Sequence, residues 1–234
     1  LNIWDNYPAP MYNQDFYESC DTLLAISKHT KNINKIVLGE KAKDKIIEYV
    51  PHGINEDQFF PIDENHKSWE QLQVAKKQLF GDKEYEHVFF FNSRNIRRKN
   101  VSNLIAAYSL FKENLPEDKK DKVALVLHTQ PVDNNGTDLF AVRDLFLGED
   151  DSVRFSQGKL SVEGMNFLYN LADITVLPSN AEGWGLALTE SMMAGTMIMA
   201  TVTGGMQDQM RFEDENGNWF TPTPEIPSNH RGTY

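Results

Sequence analysis

The strongest constraint on this chain is a run of short, unbroken apolar segments separated by helical periodicities. The segments are residues 88–92 (VFFFN), 123–128 (VALVLH), 153–155 (VRF), 174–177 (ITVL) and 197–201 (MIMAT). A strand that is apolar on both faces must be covered on both faces, which an antiparallel sheet with one wet side does not offer. Between the segments, Val101, Leu104, Ile105, Tyr108 and Phe111 recur at helical spacing. So do Met165, Leu168, Leu171 and Ala172, behind a Ser161 cap, while Trp69, Leu72, Lys76 and Leu79 mark a helix that ends at Gly81. The pattern predicts an α/β fold, a Rossmann-like doubly wound parallel sheet with helices on both faces. In such sheets ligands bind outside the carboxyl ends of the strands.

Upstream, residues 22–27 (TLLAIS) read as a strand, 28–38 as a helix and 46–50 as a second strand running into Pro51-His52-Gly53. That is one small α/β unit, too short to be a domain alone. The expected division is therefore 1–55, 56–222 and a terminal tail at 223–234.

Composition narrows the partners. The net charge of -11 opposes a large phosphate-neutralising surface, so no nucleic acid partner is expected. One cysteine, Cys20, cannot form an internal disulfide and reads as a buried small apolar residue. No apolar run approaches the roughly 20 residues of a membrane-spanning helix, and no basic-then-apolar signal opens the chain. A soluble, cytoplasmic protein without a transmembrane segment is expected. A chain that begins at Leu1 and ends in a Pro-rich stretch also reads as a piece of a longer protein.

Residues 174–205 (ITVLPSNAEGWGLALTESMMAGTMIMATVTGG) carry the most chemistry. They read as one βαβ unit whose first loop lies at the ligand edge. Gly183 and Gly185 let the backbone approach a ligand, and the helix that follows begins with unpaired N–H groups and a positive dipole end, where a phosphate belongs. Glu182 precedes the turn and Glu190 follows eight residues later, so both carboxylates can face one cleft. A carboxylate is a double acceptor suited to vicinal sugar hydroxyls.

A glutamate, a glycine-aromatic-glycine turn and a second glutamate eight positions on, behind a strand ending Pro178-Ser179, resemble the E-x7-E signature of retaining GT-B-fold glycosyltransferases of group 1 type. Asp173, Ala194-Gly195 and Gly204-Gly205 match around it. Trp184 stands where phenylalanine is common, and Ala187-Leu188-Thr189 precede the second glutamate. Residues 91–100 (FNSRNIRRKN) resemble the family's Gly-Arg loop, with Ser93 and Asn100 where glycine is usual. Residues 50–55 with Phe60-Pro61 resemble the crossover between the family's two domains, and residues 153–161 the strand and turn near the nucleotide base. The resemblance spans roughly 22–221.

The resemblance implies the C-terminal half of a GT-B fold with a remnant of the N-terminal domain. It implies a nucleoside-diphosphate sugar as donor, with Arg94 and Lys99 on the diphosphate and Glu182 on the transferred sugar as catalytic residues. Gly183, Trp184, Gly185, Leu186, Thr189 and Glu190 would bind donor, with Glu190 on the ribose hydroxyls. It further implies transfer of a hexose, with retention, to an unknown acceptor (sugar, glycan or lipid), no cofactor and no metal. The acceptor site, and often a histidine near the sugar, come from the N-terminal domain in this family.

Plainer readings exist for several of these residues. Glu190 can be a solvated acid near a helix N-terminus, and Arg94 and Lys99 a solvated basic loop with Arg97 and Arg98 between them. Met192, Met193, Met197 and Met199 read as core filler, and His52 and His128 as hydrogen-bonded structural residues. Glu149-Asp150-Asp151 reads as a polar turn, without the spacing of a metal site. Two other functions share these features: a nucleotide-binding module without transferase activity, and a GT-B-fold nucleotide-sugar epimerase. No G-x-G-x-x-G follows an early strand, which opposes a nicotinamide enzyme.

Overall fold

The structure is a computed structural model and describes residues 11–148, 150–213, 216, 218–220 and 231–233. They form two compact units. One gathers the described residues up to Gly53, Asn180–Leu186 and those from Thr201 onward; the other holds Ile54–Ser179 and Ala187–Ala200.

The first unit opens with helix α1 (Gln14–Ser19), strand β1 (Thr22–Ala25), helix α2 (Lys28–Leu38) and strand β2 (Ile46–Tyr49). Ser27 caps α2 by accepting from the Thr30 amide at 3.0 Å. The two strands pair in parallel, Thr22 opposite Ile46, and Tyr17, Leu23, Ile33, Val37, Leu38 and Ile47 form their apolar core. Cys20 departs from expectation. It is only partly buried, at the rim of this core, because it sits in the turn between α1 and β1.

In the second unit, helix α3 (Trp69–Phe80), strand β3 (His87–Asn92), helices α4 (Val101–Glu113) and α5 (Glu117–Lys120), strand β4 (Val123–His128), helix α6 (Leu139–Leu147), strand β5 (Val153–Ser156), helix α7 (Val162–Leu171), strand β6 (Ile174–Leu177), helix α8 (Leu186–Met193) and strand β7 (Met197–Ala200) follow in turn. The five strands form one parallel sheet in the order β5-β4-β3-β6-β7. β4 is buried at every position but its last, which is what the unbroken run VALVLH requires. Phe90, Val88, Val126, Leu168 and Tyr169 anchor one face of this core.

The order matters for function. The chain builds outward from β3 through β4 to β5, then returns to the other side of β3 to lay down β6 and β7. The carboxyl ends of β3 and β6 therefore flank a topological switch point, where open α/β sheets bind ligands. At the opposite end, Asp173 joins the same two strands: its carboxylate accepts from the Val88 amide at 2.7 Å and its own amide donates to Val88 O at 2.9 Å. The matching aspartate in the motif thus belongs to the scaffold.

Three sequence readings change here. Met197 and Met199 are half exposed rather than core filler, because β7 is an edge strand, with only β6 beside it in the sheet. Helix α6, capped by Asp138 through the Phe140 and Ala141 amides, was not expected. Nor was a short antiparallel sheet in the first unit, in the order β10-β8-β9, of strands β8 (Arg211–Glu213), β9 (Trp219–Phe220) and β10 (Arg231–Thr233). Apart from 231–233, the tail at 223–234 lies outside the described residues, as does Glu149. No described helix is long and apolar enough to cross a membrane.

Candidate functional site

The basic loop leaves the carboxyl end of β3 and closes on a 3-10 turn, Arg97–Lys99, before α4. Asn100 ends that turn at φ 54, the left-handed conformation that glycine favours and asparagine tolerates best among other residues. The position where the resemblance expects glycine therefore keeps a glycine-like backbone. Asn95, buried, donates to Pro131 O at 3.0 Å and Thr137 O at 2.6 Å, stitching this loop to the one after β4. Gly136 has to be glycine for that fit, since a Cβ there would meet Asn95 O at 2.1 Å.

Within this loop the two expected cations differ. Lys99 is only 8% exposed, which rules out a solvated lysine at that position. Arg94 is 63% exposed at its side chain and forms a two-bond pair with Asp133, Nε to Oδ2 at 2.7 Å and Nη2 to Oδ1 at 3.3 Å. The Arg94 hydrogen bonds, helped by the Asn135 amide, hold Asp133 below the usual carboxylate range. Asp133 thus orients the guanidinium, a role not read from the sequence.

Glu190 lies on α8 beside Thr189, both half-buried. Burial pushes the Glu190 carboxyl above its usual range, and a hydrogen bond from the Tyr169 hydroxyl at 2.6 Å counteracts that only in part. This is not a solvated glutamate. The same hydroxyl accepts from Asn92 Nδ2 at 2.8 Å, and Asn92 is the last residue of β3. At the other end of the basic loop, Asn100 Nδ2 donates to Pro178 O at 2.9 Å. The basic loop is thus tied at one end to Pro178 and at the other, through Tyr169, to Glu190, across the switch point.

Beside them, a cavity of about 610 Å³ opens at the carboxyl ends of β3, β4 and β5, lined among others by Asn92, Ser93, Arg94, His128, Thr129 and Gln157. The Thr129 hydroxyl is buried there and, among the described residues, has no hydrogen-bond partner. His128 meets its structural reading, with Nδ1 3.0 Å from Ser156 Oγ, and its burial pushes its pKa down, opposed by a hydrogen bond to the Ser156 backbone.

Glu182, Gly183, Trp184, Gly185 and Leu186 belong to the first unit. Glu182 and Trp184 are buried, and Trp184 meets the His52 ring edge-on at 6.2 Å. The Gly205 amide donates to Glu182 O at 3.0 Å, and a Cβ on Gly205 would meet Gly183 O at 2.0 Å. Gly205, the second of the glycine pair noted in the sequence, therefore serves close backbone packing against the Glu182–Trp184 turn. Gly185 takes φ 88, which an L side chain resists, so its glycine is required by conformation.

A family model described as glycosyl transferases group 1 matches residues 73–227, more than half of the chain. The chain belongs to this family. It is 27% identical over 194 residues to the mannosylfructose-phosphate synthase of Agrobacterium fabrum, covering 81% of this chain and 39% of that protein. Its fold matches sucrose-phosphate synthase from Thermosynechococcus elongatus at TM-score 0.62, with 24% identity over 85% of this chain and 45% of the other. It also matches Anabaena HepE, solved in complex with UDP and glucose, at TM-score 0.63 and 16% identity, over 85% and 50%. The chain's α/β fold, with its five-stranded parallel sheet, thus matches GT-B glycosyltransferases, and the chain spans about half the length, or less, of these relatives.

Tyr169, which meets Glu190 and Asn92 here, is a second residue that sequence reasoning missed. It sits in the apolar stripe of α7, where an aromatic reads as core. The available signal was its hydroxyl, since a fully buried tyrosine almost always finds a partner for that group.

Proposed function

We propose that the complete protein transfers a hexose from a nucleoside-diphosphate sugar to an acceptor hydroxyl on a sugar, glycan or lipid, with retention, and that this chain is mainly the donor-binding half. Residues 56–222 serve as the donor domain, and 1–55 as the tail of the acceptor-side domain. One observation carries the reading: the hydrogen bonds from Asn92 through Tyr169 to Glu190, which tie the basic loop to the acidic motif at the switch point. The family match supports transfer, as does a relative named as a synthase, over epimerisation or bare nucleotide binding. A neighbour solved with UDP and glucose supports the nucleotide-sugar donor.

In this mechanism Arg94, Lys99 and the amides of Gly183 to Leu186 neutralise the diphosphate. Glu190, with Thr189 beside it, holds the ribose, and Glu182 with Trp184 holds the hexose. The bond between the anomeric carbon and the β-phosphate oxygen breaks, its electron pair passing to the diphosphate. The acceptor oxygen bonds to the same carbon, and its proton passes to the departing oxygen. Two fixed cations do the work that a metal does elsewhere, so turnover is expected without one.

The test is to incubate the full-length protein with UDP-, GDP- and ADP-hexoses and acceptor sugars, with and without EDTA, and to follow product by NMR. The reading expects a glycoside with the donor's anomeric configuration, at a rate EDTA leaves unchanged. Inverted product contradicts retention, loss of rate in EDTA contradicts metal independence, and epimerised or untouched donor contradicts transfer.

A further inference from the structure

The donor-site reading gives Glu190 the ribose but leaves open why a buried tyrosine faces it. Tyr169 is fully buried, with its ring edge-on to Phe59 at 5.9 Å and Phe90 at 5.2 Å. A phenylalanine would fill that space equally well and would bring no polar atom that needs satisfying. The Tyr169 oxygen accepts from the Asn92 amide, which can only donate from its nitrogen, so the single hydroxyl proton is directed at Glu190 Oε2. The direction of the contact follows from the donor count.

The tyrosine is itself held from several sides. Its carbonyl accepts from Thr196 Oγ1 at 2.7 Å. On the same helix, Asn166 Oδ1 accepts from the Phe60 amide at 3.2 Å, and Asn170 Oδ1 from the Ile62 amide at 2.7 Å. Helix α7 therefore cannot shift without breaking bonds to the segment before α3. A rigid donor on one carboxylate oxygen stops the Glu190 side chain from turning about its last torsion.

We infer that Tyr169 is a positioning residue, which with Asn92 fixes the plane of the Glu190 carboxylate so that it meets two adjacent hydroxyls of the donor. The inference rests on Glu190 being a donor ligand, and its test separates the two ideas. UDP, GDP and ADP are titrated in turn into the full chain by calorimetry, and the tightest binder is carried into Tyr169→Phe, Asn92→Ala, Glu190→Ala and the two double variants with Glu190→Ala.

Tyr169→Phe is expected to weaken binding about 5- to 10-fold, Asn92→Ala less, and neither to add a loss once Glu190 is alanine, because a residue acting through Glu190 has nothing left to act on. A second readout is the acid limb of the binding-pH profile. The Tyr169 hydrogen bond favours the ionised carboxylate, so its removal moves the midpoint to higher pH. Equal losses for both variants in either background, or an unmoved midpoint, overturn the positioning role. Unchanged affinity in Glu190→Ala alone overturns the donor-site reading and the inference with it.

Discussion

Two carboxylates in the second unit, Asp150 and Glu190, stand at opposite ends of the same sheet and behave in opposite ways. Asp150 precedes β5, and burial pushes its pKa up, but hydrogen bonds from Lys112 and the Ser152 amide outweigh that and leave it below the usual range. Tyr108 closes the same cluster by donating into Val123 O at 3.0 Å, with Ser152 Oγ at 2.9 Å. Glu190 is desolvated too, yet among the described residues its donor is a single phenol, and its pKa rises. The amino-terminal end of the sheet satisfies its charges internally; the carboxyl end leaves a carboxylate short of donors, which is what a ligand rich in hydroxyls would provide.

The largest expected effect breaks the comparison on the functional side. Arg94→Ala or Lys99→Ala should lower kcat by about 10²- to 10³-fold in a transfer assay, the usual cost of removing one stabilising group from a charge-developing transition state. Glu190→Ala should weaken nucleotide binding by roughly 10- to 100-fold in calorimetry, the range for hydrogen bonds to a charged group. Asp150→Asn should leave that affinity unchanged. If both acids weaken binding alike, the two ends of the sheet do not differ as described.

Stability should respond in the reverse sense. Lys112→Ala strands the Asp150 carboxylate, and after allowance for partial exposure the loss should be about 1–3 kcal/mol, a fall in Tm of several degrees at unchanged nucleotide affinity. The smallest effect concerns pH. A lowered pKa makes Asp150 stabilising above its unfolded value near 3.8, and this is lost as pH falls through the folded value. A raised pKa does the opposite for Glu190: its contribution is least costly below 4.5 and fully destabilising once pH exceeds the folded value. Glu190→Gln should therefore raise Tm slightly at pH 7, with the gain vanishing toward pH 4, even as it weakens nucleotide binding.

Much of this was legible in the sequence, for identifiable reasons. The five parallel strands announced themselves because burial on both faces leaves runs such as VALVL with no polar position. Glu182 and Glu190 stood out because glycines at a strand-to-helix turn have few other uses. Helix α6 went unread although Asp138 caps it, since its stripe, with Leu139 buried but Leu145 exposed, is weakly one-sided. Asp133 and Tyr169 went unread for another reason: their contacts depend on the loop after β4 meeting the loop after β3, and on α7 meeting α8, which spacing along a chain does not encode. Met197 and Met199 misled because an apolar run does not say whether its strand will be central or at an edge.

The most direct test of the central claim is a crystal structure of the protein soaked with the nucleoside diphosphate that binds it most tightly. The expected map places the diphosphate at the start of α8 within hydrogen-bond distance of Arg94 and Lys99, and the ribose hydroxyls on Glu190 with the Tyr169 bond intact. A nucleotide bound away from the carboxyl ends of β3 and β6, or one whose ribose ignores Glu190, would contradict it.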